Sequence, residues 1–275
     1  MLKQRLITAI ILIPLFVLCI LKLSPKGFGL LTWFFVILGA WEWSSLMQIQ
    51  GMFKRAIYPF LISFCAALSL YLTTDLVLCI ALIGWVIAFI LVLAYPRLNS
   101  LWGSSLIVRS IMGLVVLIPT FRALNFIRDT EIFGHNHGRY VLLFLFVLIW
   151  GADSGAYFAG KKFGKNKLAE RVSPGKTWEG LSGALLTTII LAPGLYYLFP
   201  TPRPAMWALI VLSVITTLFS VLGDLFESML KRNAGLKDSG YLIPGHGGLL
   251  DRIDSLTAAA PVFALGCLLV VKIFH

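Results

Sequence analysis

Charge is scarce in this sequence. Asp, Glu, Lys and Arg make up 13% of its 275 residues, about half the usual globular share. Hydrophobic residues reach 59% and mean hydropathy is +0.91, which together exclude a water-soluble globular domain. Cysteine is also sparse. Cys19, Cys65, Cys79 and Cys267 all fall inside apolar runs, and no pair has metal-ligand spacing. They read as small buried hydrophobes, and a disulfide framework or zinc module is excluded. The first 23 residues carry Lys3 and Arg5 ahead of an apolar stretch, as a signal peptide would. No small-x-small cleavage site follows, so this segment is expected to stay as the first membrane helix. The chain has no internal repeat, so no inverted-repeat transporter is supported. Nor does it have a basic stripe interleaved with aromatics, so its charge of +11 does not point to nucleic acid.

What the sequence has instead is apolar runs of membrane-crossing length. Nine are legible, near 6–23, 28–47, 57–72, 76–95, 106–121, 140–160, 180–199, 205–230 and 255–274. The expected fold is all-α, a polytopic transmembrane bundle of about nine helices. Alternating nine helices from a cytoplasmic N-terminus places 16 of the 23 basic residues on the cytoplasmic side. That is the bias expected of membrane topology. Two long polar loops, 161–179 and 231–254, then share the cytoplasmic face. Residues 1–100 read as supporting helices with dimer contacts, and 101–275 as the region that carries the chemistry.

The acids set the second half apart. Eight of twelve lie beyond residue 150, and Asp153, Asp224 and Glu227 sit within apolar runs. A carboxylate at membrane depth costs at least a few kcal/mol, so each calls for a cation, a metal or a wet cavity. Glu42, between Trp41 and Trp43 near the end of a run, reads as an interfacial group first and a functional one second. In "GADSGAYFAGKKFG", Asp153 and Tyr157 share a helix face, while Gly151 and Gly155 form a G-x-x-x-G pair suited to close helix packing.

The loop "KKFGKNKLAERVSPGKTWEG" contains "PGKT" but is not a P-loop, because Glu170 stands where that pattern needs glycine. Ser173–Pro174 reads as a turn or helix start. Lys176 beside it is the better phosphate ligand, and the first four lysines suit lipid headgroups equally well.

Densest of all is 223–256. Asp224, Glu227, Ser228 and Lys231 recur at i, i+3, i+4 and i+7, one stripe of a helix. The helix breaks near Asn233–Gly235. In the loop that follows, Gly245, Gly247 and Gly248 bracket His246 and let backbone N–H groups approach an anion. Asp251 and Asp254 then open the last helix, where they can point at Asp224. Carboxylates among Lys and Arg are the chemistry of Mg²⁺ with phosphates. His135 and His137, in "GHNHG", lack partners for a metal site, and His275 is the last residue.

The stretch from Ser228 to Asp254, "SMLKRNAGLKDSGYLIPGHGGLLDRID", resembles the signature of the CDP-diacylglycerol synthases, S-x-x-K-R-x4-K-D-x6-G-H-G-G-x2-D-R-x-D. The blocks "WGADSGAYFAGKKFGKNKLA" and "SPGKTWEG" extend the resemblance; the first half shares only general character. The resemblance implies a bacterial phosphatidate cytidylyltransferase of the cytoplasmic membrane, a homodimer that converts CTP and phosphatidic acid to CDP-diacylglycerol and pyrophosphate with Mg²⁺. On that footing Asp224 and Asp251 are expected to hold the metal. Asp254, Asp153 and Asp238 are second choices, including for a second cation. Lys231, Arg232, Lys237 and Arg252 would bind triphosphate or lipid phosphate, and His246 would orient a phosphate or a metal-bound water. Asp251 should lie close enough to Asp224 to share a cation. The competing class is a transporter of an anionic solute, disfavoured because the charges cluster on one side. The aspartate ladder of the CDP-alcohol phosphotransferases is absent: Asp153 is followed by Ser154.

Overall fold

A computed structural model describes residues 2–134, 137–199, 203–242 and 247–274. Inside hydrocarbon a backbone must satisfy its own hydrogen bonds, so the apolar runs become helices. The order is α1 (Leu2–Lys22), α2 (Pro25–Leu46), α3 (Met52–Ser69), α4 (Thr74–Ala94), a single turn α5 (Asn99–Trp102), α6 (Leu106–Asp129) and α7 (Gly138–Phe163). Strands β1 (Lys167–Ala169) and β2 (Ser173–Thr177) follow, then α8 (Trp178–Leu191), a single turn α9 (Pro193–Tyr196), α10 (Met206–Ala234) and α11 (Leu250–Phe274). Among the described residues, eight helices are long and apolar enough to cross a membrane, and Ile10–Lys22 is a shorter apolar segment. The chain is an all-α polytopic membrane protein.

The helix ends follow local chemistry. Ser24 accepts from Gly27 N at 3.1 Å ahead of Pro25, a serine cap followed by the residue suited to a first helical position. Thr177 caps α8 in the same way through Gly180 N at 3.1 Å. Gly235 stops α10 in the left-handed conformation, φ +69°, which a residue with a Cβ adopts only at a cost.

Three expected boundaries move. Ser173–Pro174 is neither a turn nor a helix start but the beginning of β2, which pairs antiparallel with β1. The loop 161–179 therefore folds as a hairpin. The second polar loop shortens to 235–249, because α10 continues to Ala234 and α11 begins at Leu250.

Which helices form the centre follows from burial. In α10 and α11, 56% and 61% of the apolar window is buried, against 28% for α3. Phe60, Phe64, Ile83, Ile107 and Ile190 stay exposed on the outside, the surface a lipid solvent requires. Because lipid gives apolar helices no reason to associate, contacts rely on small residues and interhelical hydrogen bonds. Thr188 Oγ1 and Thr217 Oγ1 meet at 2.7 Å between α8 and α10, and Asn125 donates to Thr32 Oγ1 at 2.9 Å between α6 and α2. One close approach is between α7 and α8. A Cβ built on Gly155 would lie 2.7 Å from the carbonyl oxygen of Gly183, and one on Gly183 would lie 2.6 Å from that of Gly155. The G-x-x-x-G pair thus does what its spacing suggests. The two hydrophobic clusters each mix early and late helices, joining Phe28 and Leu78 to Phe263, and Trp43 and Trp85 to Phe226.

Candidate active site

The close α7–α8 crossing leaves a cavity of about 450 Å³ at its polar end. Asp153, Tyr157 and Lys161 line it from α7, Lys176 and Thr177 from β2, and Asp224 from α10. The hairpin is what brings Lys176 there. Lys176 Nζ lies 2.8 Å from Asp224 Oδ2, and Ser228 Oγ donates to Asp224 Oδ1 at 3.3 Å. One turn further along α10, Lys231 Nζ reaches Asp251 Oδ1 at 2.6 Å and Glu227 Oε1 at 3.5 Å. That joins α10 to the first turn of α11.

Asp251 is the most thoroughly bound acid of the site. Its second oxygen, Oδ2, accepts from Gly248 N at 2.8 Å, Ser239 N at 2.9 Å and Ser239 Oγ at 3.0 Å. Gly247, at φ +84°, turns the backbone toward it, and a Cβ there would lie 3.0 Å from Asp251 Oδ2 and 3.6 Å from Asp238 Cγ. Here glycine is needed both for the dihedral and for the room.

Asp224 and Asp251 are therefore each held by a different lysine. Asp254, part-buried, feels the charge of Asp224, and Glu227 feels those of Asp254 and Asp251. Asp153 in turn feels Lys176 and Asp224. The acids form a row interleaved with lysines, and among the described residues no three acidic, histidine or cysteine side chains converge on one point. The row holds five carboxyl groups, Asp153, Asp224, Asp254, Glu227 and Asp251, against two lysines, Lys176 and Lys231. Glu227 is buried, and among the described residues neither of its carboxylate oxygens accepts a hydrogen bond, with Lys231 Nζ standing 3.5 Å from Oε1. Mg²⁺ is usually held by one or two carboxylates with substrate phosphates completing its shell, so this donor set fits that ion.

The remaining candidates lie around the row. Arg232 Nε donates to Val172 O at 3.4 Å, tying α10 to the hairpin. Lys237, Asp238 and Arg252 are exposed at the loop and the start of α11. Gly245 and His246 lie outside the described residues, as does His135.

One residue of the site was not placed by sequence. Glu42 of α2 is 1% exposed, enclosed by the protein itself. Its carboxylate accepts from Leu249 N at 2.9 Å, Leu250 N at 2.7 Å and Ser239 Oγ at 3.2 Å. The signal available was its depth in an apolar run, which calls for a partner; that partner lies about 200 residues away in the chain.

Beside the acid row, between α4, the hairpin and α10, runs a larger and mainly apolar cavity of about 910 Å³. Leu168, Leu181 and Val221 line both spaces, so an apolar surface adjoins a charged one.

Relatives align with this sequence over nearly its whole length. A phosphatidate cytidylyltransferase of Haemophilus influenzae is 40% identical, covering 96% of this chain and 98% of its own. One of Pseudomonas aeruginosa is 43% identical, covering 96% of both. Another, of Staphylococcus epidermidis, is 34% identical over 94% of this chain and 96% of its own. The pattern of the cytidylyltransferase family matches residues 3–270. With the family's pattern spanning nearly every helix, and a lysine–carboxylate row at its charged end, this chain belongs to the cytidylyltransferase family.

Proposed function

We propose that this protein is a phosphatidate cytidylyltransferase of the bacterial cytoplasmic membrane, taking CTP from the cytoplasm and phosphatidic acid from the bilayer. The observation that carries this reading is the junction of the two cavities, one lined by Lys176 and Asp224 and the other by apolar side chains. A reaction joining a nucleotide to a lipid needs both surfaces in contact. A phosphate oxygen of phosphatidic acid attacks the α-phosphorus of CTP in line. As that P–O bond forms, the bond from the α-phosphorus to the bridging oxygen breaks and pyrophosphate leaves. The products are CDP-diacylglycerol and pyrophosphate. Little deprotonation is needed near neutral pH, since a phosphate monoester has its second pKa near 6.

Lys176 and Lys231 bind phosphate oxygens and offset the charge that develops as pyrophosphate departs. Arg232, Lys237 and Arg252 surround the triphosphate at the mouth; their forked or point charges are not interchangeable there. Asp224 and Asp251 would hold Mg²⁺, with Asp254 and Asp153 beside them for a second cation. Bound there, the ion would supply positive charge against the phosphoryl oxygens. The excess of carboxyl groups over lysines in the row, and the lack of a hydrogen-bond donor to Glu227 among the described residues, support that assignment. Homodimerisation is part of the same proposal.

The test is incubation of purified protein with labelled CTP, phosphatidic acid and Mg²⁺. Lipid-linked CMP and pyrophosphate should appear together, and both should vanish with chelator. Unchanged CTP in the complete mixture would overturn the reading. Asp251→Asn should abolish most of the transfer, and near-normal transfer at saturating Mg²⁺ would remove Asp251 from the metal set.

A further inference from the structure

We infer that Glu42, on the second helix, is a positioning residue of the cytidylyl-transfer site: its buried carboxylate fixes the start of α11 and the hydroxyl of Ser239, and through them Asp251. The inference rests on the activity proposed above.

Glu42 has little access to substrate, being 1% exposed. Its hydrogen-bond partners among the described residues, however, all belong to the segment that carries Asp251. The amides of Leu249 and Leu250 stand at the start of α11, where a helix leaves N–H groups without internal partners and favours negative charge. Local side chains usually satisfy such donors. Here a carboxylate from a different membrane helix does so, which fixes α11 relative to α2 as well as capping it.

The third contact reaches the site. Ser239 Oγ lies 3.2 Å from Glu42 Oε2 and 3.0 Å from Asp251 Oδ2. A hydroxyl has one proton to donate, so it serves one carboxylate at a time. The backbone N–H of Ser239 stays on Asp251 at 2.9 Å in either case. Asp251 therefore loses one donor whenever Ser239 turns to Glu42, and its oxygen is then more available to a cation. Glu42 provides the alternative acceptor that makes this exchange possible without stranding a buried hydroxyl.

The glycines of the segment fit the same arrangement. A Cβ on Gly240 would meet Glu42 Oε1, and one on Gly248 would lie 2.7 Å from Glu42 Oε2. Neither glycine has a positive φ among the described backbone, so crowding and not a dihedral excludes a side chain: the Glu42 carboxylate at Gly240, and Ser239 Oγ together with Glu42 Oε2 and the Gly240 nitrogen at Gly248.

The experiment compares wild type, Glu42→Gln, Ser239→Ala and the double variant, as purified full-length protein. CMP transfer is measured per folded molecule, with the folded fraction taken from thermal melting. Glu42→Gln keeps the volume but sets an amide N–H₂ against groups that are all donors. Its kcat should fall about 10- to 100-fold, the range spanned by one charge-assisted hydrogen bond, with a smaller change in KM for CTP. Hydrogen exchange in a peptide covering Leu249 and Leu250 should quicken. Ser239→Ala should lower kcat, and the double variant should lose less than the product of the two single losses, because part of the effect of Glu42 passes through Ser239.

Wild-type transfer in Glu42→Gln, or additive losses in the double variant, would overturn the inference. If Glu42→Gln does not fold, Ser239→Ala decides: normal kcat overturns the inference and lowered kcat with normal melting supports it. Wild type without any CMP transfer would instead overturn the proposed function, an outcome distinct from indifferent variants of an active enzyme.

Discussion

Substitution of Gly155 by alanine tests the α7–α8 crossing, on which the cavity depends. Two effects oppose each other. Alanine in place of a helical glycine gains roughly 0.5–1 kcal/mol in backbone entropy. Against this, the new Cβ would lie 2.7 Å from Gly183 O and 3.0 Å from Thr187 Cβ, roughly 0.5–1 Å short of van der Waals contact. Thr187 can rotate, but the Gly183 carbonyl belongs to the backbone of α8, so relief requires the helices to separate. Overpacking of this kind costs about 1–3 kcal/mol, and the overlap should win by about 1 kcal/mol. Gly29→Ala in α2 is the control, since its nearest neighbour is Asn125 Oδ1 at an ordinary 3.5 Å. Thermal melting in detergent should give opposite signs, lower for Gly155→Ala and unchanged or higher for Gly29→Ala. The pair Gly155→Ala and Gly183→Ala should be less than additive, because one separation of the helices relieves both clashes. CMP transfer should fall with Gly155→Ala, because Asp153 on α7 and Lys176 next to α8 would move apart. If Gly155→Ala melts with or above Gly29→Ala, the close crossing is not there and the reasoning fails.

Two further outcomes follow from the ion pairs. Lys231 and Asp251 have side-chain exposures of 16% and 7% at 2.6 Å, so a double-mutant cycle of Lys231→Met with Asp251→Asn, read by melting, should give a coupling of about 1 kcal/mol or more; a coupling within error of zero would refute the pairing. Lys272 and Asp75 also form a close pair, 2.9 Å, but with exposures of 63% and 52%, so Lys272→Met should leave melting and transfer unchanged, and a fall of several degrees would contradict that screening argument.

The parts of this fold legible in the sequence are those governed by local rules. Apolar runs give the helices, Gly235 stops α10, and Gly151 and Gly155 announce a close packing face. The stripe Asp224–Glu227–Ser228–Lys231 needs only helical periodicity. What stayed illegible depends on pairing. Strands of three and five residues have no periodicity to read, so the hairpin 167–177 appeared as a basic loop. Partner choice was equally hidden. Lys231 sits on the same helix face as Asp224, yet Asp224 takes Lys176 from the hairpin and Lys231 takes Asp251 from α11. Glu42 could be seen to need a partner but not which one.

Three ties of the site cross from one element to another. Lys176 with Asp224 joins the hairpin to α10, Lys231 with Asp251 joins α10 to α11, and Glu42 with Leu249 and Leu250 joins α2 to α11. The segment from Ser228 to Asp254 is thus only part of the site. Isolated from the hairpin, Asp224 would lack the cation beside it; isolated from α2, the first turn of α11 would lack its acceptor. Because a charge in hydrocarbon is tolerated only with a compensating partner, these ties also set the order of dependence. The acids can occupy their depth only after the helices bearing the partners have packed. Since Glu42 lies in the first hundred residues, the second half of the chain depends on the first for the geometry of the segment that leads into Asp251.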